Sequence, residues 1–114
     1  MKPLVIIESP YRGRTRLHRR YLRACLRDSL DRGEAPFASH GLYTQVLDDD
    51  DPDERRLGME AGWAWLERAD LVAVYTDLGV SAGMRAGTLR AVGAGVRIRH
   101  RVVPGWRAPL WGWL

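Results

Sequence analysis

Two short apolar runs, each ending in a serine- and glycine-bearing loop that opens a helical pattern, constrain this chain more than any other feature. The first, Leu4-Val5-Ile6-Ile7-Glu8, is continuous and rich in β-branched residues, as expected of a strand buried on both faces. Ser9-Pro10-Tyr11-Arg12-Gly13 breaks it. Residues 14–32 then read as a helix with Leu22, Cys25, Leu26 and Leu30 on one face, and Gly33 stands just beyond its C-terminus. The second run spans residues 70–76, with Leu71-Val72-Ala73-Val74-Tyr75 nearly all apolar, and Asp77-Leu78-Gly79-Val80-Ser81 turns from it into a helix over residues 82–94.

The remaining elements fill in the same alternation. Residues 35–38 suit a short strand, followed by an irregular loop through His40 and Tyr43. The acidic run at 48–51 leads into Pro52, which places Asp51 as N-cap, Pro52 as first helical residue and Glu54 as reciprocal capping partner. A helix from there to about residue 69 is expected to turn Leu57, Ala61, Ala64 and Trp65 inward. Residues 96–103 alternate apolar with basic side chains, which suits a half-exposed edge strand. Strands and helices alternating at this spacing give an α/β fold, a small Rossmann-like or flavodoxin-like parallel sheet with helices on both faces. Such sheets bind ligands beyond the carboxyl ends of their strands, so the loops at 9–13, 38–51 and 77–83 carry the functional interest.

A chain of 114 residues has room for one core, read as a domain over 1–103 with a tryptophan-rich tail at 104–114. No apolar run reaches the roughly 20 residues that span a bilayer, the apolar start is too short for a signal peptide, and the single cysteine excludes an internal disulfide. A cytoplasmic protein without a membrane partner is expected. The net charge of +4, mostly from arginine, attracts anions, and the guanidinium fork suits phosphate. Arg16, Arg20, Arg23 and Arg27 form a stripe on the first helix that reads as a solvated face, so nucleic acid is not the expected partner. His18, His40 and His100 lack metal-ligand spacing, and the acidic run lacks the alternating ligands and central glycine of a calcium loop, so neither metal nor cofactor is expected.

A helix N-terminus, a serine hydroxyl and an arginine fork together make a phosphate cradle. Taken singly, Ser9-Pro10-Tyr11-Arg12-Gly13 reads equally well as an ordinary strand-to-helix turn. Its repetition as Ser81-Ala82-Gly83-Met84-Arg85 at a neighbouring strand end favours the cradle. Those two loops, the strand at 70–76 and the run Ser81-x-Gly83-Met84-Arg85-Ala86 resemble the nucleoside 2-deoxyribosyltransferase-like superfamily, which includes 2'-deoxynucleoside 5'-phosphate N-hydrolases and many small phage and bacterial proteins. The segment from Pro36-Phe37-Ala38-Ser39-His40 to Pro52 is most similar to the small members, and the resemblance extends to about residue 101.

The resemblance implies a ligand-binding set of Ser9, Arg12, Gly13, Ser81 and Gly83 around phosphate and Tyr11, His40 and Tyr43 around sugar or base, with Asp77 and Met84 alongside. It also implies a carboxylate nucleophile six positions beyond Ser81, where this chain has Gly87. Glycine has no side chain with which to attack an anomeric carbon. The substitutes are Glu8, then Asp77, with Glu60 a weaker third. The leading expectation is therefore a non-catalytic nucleotide-binding protein, sequestering a nucleotide-derived signal in the manner of phage anti-defence. The alternative is an N-glycosidic-bond enzyme, hydrolase or deoxyribosyltransferase, using Glu8 or Asp77. The family's habit of dimerising, together with three tail tryptophans, suggests a homodimer or higher homo-oligomer, the tail docking on its own domain or, preferably, on a partner subunit.

Overall fold

Burial of Val5, Ile6 and Ile7 makes β1 (Leu4–Glu8) an inner strand, and the rest of the chain is wound about it. The computed structural model describes residues 1–113, Trp113 through its backbone alone. After β1 come α1 (Thr15–Asp31), β2 (Ala35–Phe37), the short α2 (Ser39–Leu42) and a 3₁₀ turn (Tyr43–Gln45). Then follow α3 (Pro52–Ala64), continued by a 3₁₀ turn (Trp65–Arg68), β3 (Leu71–Tyr75), α4 (Ala82–Gly93) and β4 (Arg97–Arg101). The four strands are all parallel in the order β2-β1-β3-β4, with Ile6 opposite Val72 and Tyr75 opposite Arg101. Strand order reverses between β1 and β3, so their outgoing loops diverge and leave a crevice between them.

Alternation along the strands splits the core in two. Val5, Ile7, Ala73 and Tyr75 pack with Tyr21, Leu22 and Cys25 of α1 on one face. Ile6, Val72 and Val74 pack with Leu66, Met84 and Ala91 on the other. Glu8 shares the parity of Ile6 and so faces α4. Among the described residues no helix is long and apolar enough to cross a membrane.

Several expectations of register are corrected. On α1, Leu30 is exposed and Ser29 is buried in its stead. The Ser29 hydroxyl donates to Glu34 (2.7 Å), whose carboxylate also holds Arg101 through two hydrogen bonds (2.7 and 2.8 Å). That arginine, first among the causes, holds the Glu34 carboxyl below its ordinary range. Ser29→Ala is expected to lower stability by about 1–2 kcal/mol, measured by urea denaturation, since a buried carboxylate oxygen loses a donor.

On α3, Leu57, Ala64 and Trp65 are exposed, and the inward stripe is Arg55, Gly58, Met59, Gly62, Trp63 and Leu66. Close packing is the reason: a Cβ on Gly62 would stand 2.8 Å from Cβ of Ser39, and one on Gly58 3.3 Å from Leu47. Asp51 caps α3 as expected, accepting from the N–H groups of Asp53 and Glu54. Glu54, however, accepts from the N–H of Asp48 (2.8 Å) rather than from Asp51. The segment after β2, expected to be irregular, is instead two short helical turns. The tail lies on α1 of its own chain: Trp106 meets the Tyr21 ring edge-on at 5.0 Å, and Arg16 sits 4.0 Å over the Trp111 ring. The Trp113 side chain and Leu114 lie outside the described residues.

Candidate functional site

The crevice between β1 and β3 opens into a cavity of about 580 Å³, within the usual range for small-molecule sites. Both loops reach it. Glu8, Ser9, Tyr11 and Arg12 line it from the end of β1, and Ser81, Gly83 and Met84 from the start of α4. His40 and Tyr43 close one side, and the α3 stripe, packed against that segment, continues the wall. Gly13, at φ +84°, lies outside this lining, in an adjoining polar cavity of about 420 Å³ with Thr15 and the acidic run. Of the carboxylate candidates, Glu60 is exposed and absent from the lining.

Asp77 also lies outside the cavity lining. Its carboxylate accepts from the Tyr21 hydroxyl (2.5 Å) and from the N–H of Val103 (2.9 Å), and its own N–H donates to Tyr21 (2.9 Å). It joins β3, α1 and the segment after β4, which is a structural task.

Glu8 is placed very differently. A Cβ built on Gly87 would stand 2.7 Å from Cδ and 2.9 Å from Oε1 of Glu8, with Oε2 closer still. The Glu8 carboxyl therefore occupies the space that a side chain at position 87 would enter. Glycine is required there because the carboxyl lies against the helix backbone. Burial pushes the Glu8 carboxyl up to about 8, and among the described residues no hydrogen-bond donor or cation offsets it. At neutral pH it is mostly protonated, a donor rather than an anion.

Around it the loops are braced by side-chain pairs. Ser9, buried at the end of β1, pairs its hydroxyl with Nε2 of His40 at 2.7 Å. Burial, then the neighbouring charge of His18, brings the His40 imidazole down to about 4, so this pair is neutral across the physiological range. His18 in turn bonds the carbonyl of Tyr11 through Nδ1 (2.8 Å), fixing the loop above α1. At α4, the Ser81 hydroxyl accepts from the N–H of Met84 (3.2 Å). The N–H groups of Ala82 and Gly83, in the first helical turn, have no intrahelical acceptor.

The acidic run is more than a solvated cap. Asp49 Oδ2 lies 2.9 Å from Arg55 and 3.6 Å from Arg12, and Asp50 lies 3.6 Å from Arg12. Arg55, Met59 and Trp63 are cavity residues that reading the sequence missed. The signal was present as a stripe at 55, 58, 59, 62, 63 and 66, but two of its positions are glycine and carry no hydrophobic weight.

The parallel sheet, the reversal of strand order and the cavity at the strand ends define a Rossmann-like α/β protein. A 2-deoxyribosyltransferase from the psychrotolerant bacterium Bacillus psychrosaccharolyticus, described as a biocatalyst for nucleoside synthesis, superposes with a TM-score of 0.61 at 14% identity, covering 95% of this chain and 78% of that one. The chain belongs to the family described as Domain of unknown function (DUF7768), whose model matches residues 3–101. No curated protein matches the sequence.

Proposed function

We propose that the protein binds a nucleotide in the cavity between β1 and β3 and does not turn it over at neutral pH. One observation carries this reading: the loop after β1, with Ser9 at its start, and the loop after β3, with Ser81 at its end as the N-cap of α4, open onto a single cavity of a size suited to a nucleotide. Ser9, Arg12, Ser81 and the first amides of α4 would meet phosphate, while Tyr11, His40 and Tyr43 would surround sugar and base. Absence of turnover follows from a protonated Glu8 and a glycine at 87. Sequestration of a nucleotide-derived signal is the use that such a protein would serve.

The position of Glu8 favours a second reading. Its carboxyl lies over the residue at which the resemblance implies a nucleophile. Once ionised, it would bond to the anomeric carbon as the C–N bond breaks and the electron pair leaves with the base. Calorimetry with a panel of 2'-deoxynucleoside 5'-monophosphates, paired with chromatography for free base between pH 6 and 9, separates the two. Binding without base release at any pH supports the first. Base release rising as pH passes about 8, and lost in Glu8→Gln, supports the second. No binding by any member of the panel would remove both.

A further inference from the structure

Two arginines from different elements converge on one oxygen inside the cavity wall. Arg12 comes from the loop after β1, Arg55 from the first turns of α3, and both meet Oδ2 of Asp49, on the loop just before α3. Arg55 is about three-quarters buried, and its Nη2 lies 3.6 Å from where a Cβ of Gly83 would stand. It therefore lies over the first turn of α4, where the free amides of Ala82 and Gly83 add partial positive charge. The other carboxylate near Arg12, Asp50, is 90% exposed, so solvent screens most of its charge. Two guanidinium groups, that of Arg12 about half exposed, thus share chiefly one carboxylate that is about three-quarters buried, beside a helix N-terminus. That arrangement is an anion receptor held by an internal anion.

We infer that Arg55 and Arg12 receive a phosphomonoester group of the ligand and that Asp49 occupies their place until it arrives. A carboxylate offers two oxygens and one charge. A phosphomonoester offers three oxygens and nearly two charges, enough to satisfy both guanidinium forks and the α4 amides together. Asp49 would yield its arginines to the stronger acceptor. This rests on the cavity being a nucleotide site, and it places the phosphate of that nucleotide on Arg55 and Arg12 with Asp49 as the internal anion it displaces.

The test is calorimetry with a 2'-deoxynucleoside 5'-monophosphate, the same nucleoside without phosphate, and inorganic phosphate as competitor. The monophosphate should bind tighter than the nucleoside and be displaced by phosphate. Arg55→Gln should weaken the monophosphate about 10- to 100-fold and leave the nucleoside within about twofold, the loss of charged hydrogen bonds. Asp49→Asn should tighten the monophosphate about two- to fivefold, as removal of a partly screened competitor allows. It reads the same subsite with both arginines present, so it stands even if Arg55→Gln does not fold. Equal weakening of both by Arg55→Gln, or weaker monophosphate binding in Asp49→Asn, would overturn the inference and leave the nucleotide reading standing, whereas equal affinity for nucleoside and monophosphate would overturn both. No binding of any of the three would overturn the nucleotide reading itself.

Discussion

Glu8→Gln is expected to stabilise the protein by a few kcal/mol at pH 8 to 9 and to change it little below pH 4. In the folded chain the Glu8 carboxyl titrates near 8, against 4.5 for an ordinary glutamate. Between those values the unfolded chain has released a proton that the folded chain still holds, so stability falls as pH rises through this window and levels off above it. Each unit of difference corresponds to about 1.4 kcal/mol. His40 acts in the opposite sense, with a folded value of about 4 against 6.5. Between pH 4 and 6.5 the unfolded chain holds the extra proton, and stability rises with pH. The two slopes oppose each other from about 4.5 to 6.5, and Glu8 acts alone from there to about 8. Urea denaturation at half-unit intervals should give wild type a decline above pH 6.5 and Glu8→Gln a plateau. A wild-type curve flat between pH 6.5 and 8.5 would mean that Glu8 is not buried as described.

Gly87→Glu is expected to destabilise the protein by about 2–4 kcal/mol at pH 7, through overpacking and the confinement of two carboxyls in one place. The new Cβ would come within 2.9 Å of the Glu8 carboxyl, which must then swing into the cavity. In a Glu8→Ala background the same substitution should cost less than about 1 kcal/mol, because the space is vacant and glutamate is a far better helix former than glycine. The coupling between positions 8 and 87, read from this double-mutant cycle, should exceed about 1 kcal/mol. Additive effects would show that the two positions do not meet.

The elements of the fold were legible because the signals that define them are local. Apolar runs bounded by Ser-Pro and Asp-Leu-Gly, Gly33 after α1 and Asp51-Pro52 before α3 need no distant partner to be read. Their orientation was less so. Leu57 and Trp65 suggested an inward face for α3, yet Gly58 and Gly62 bring that helix close to Leu47 and Ser39 on its other side. No hydrophobic pattern announces a contact made by missing side chains. Leu30 was misplaced for a related reason, since Ser29 is buried to satisfy Glu34.

The site divides along the same line. The two serine loops follow from strand–helix alternation, and the structure brings Ser9, Tyr11, Arg12, Ser81, Gly83 and Met84 to one cavity with His40 and Tyr43. Gly13 falls outside that lining and Asp77 is taken up by Tyr21, a partner 56 positions away in sequence. The meeting of Asp49 with Arg12 and Arg55 depends on the packing of α3 against both loops, which no spacing rule encodes. Glu8 was identifiable as the last residue of a buried strand, but the helix it faces was not. That it would lie against Gly87 required the register of α4.

Amide chemical shifts of the isotope-labelled protein, followed during titration with a 2'-deoxynucleoside 5'-monophosphate, test the central claim most directly. The expected result is a saturable shift at Tyr11 and Arg12 together with Ala82 and Gly83, both loops moving along one binding curve. Shifts confined to the exposed arginines of α1, or no shifts at millimolar ligand, would contradict it.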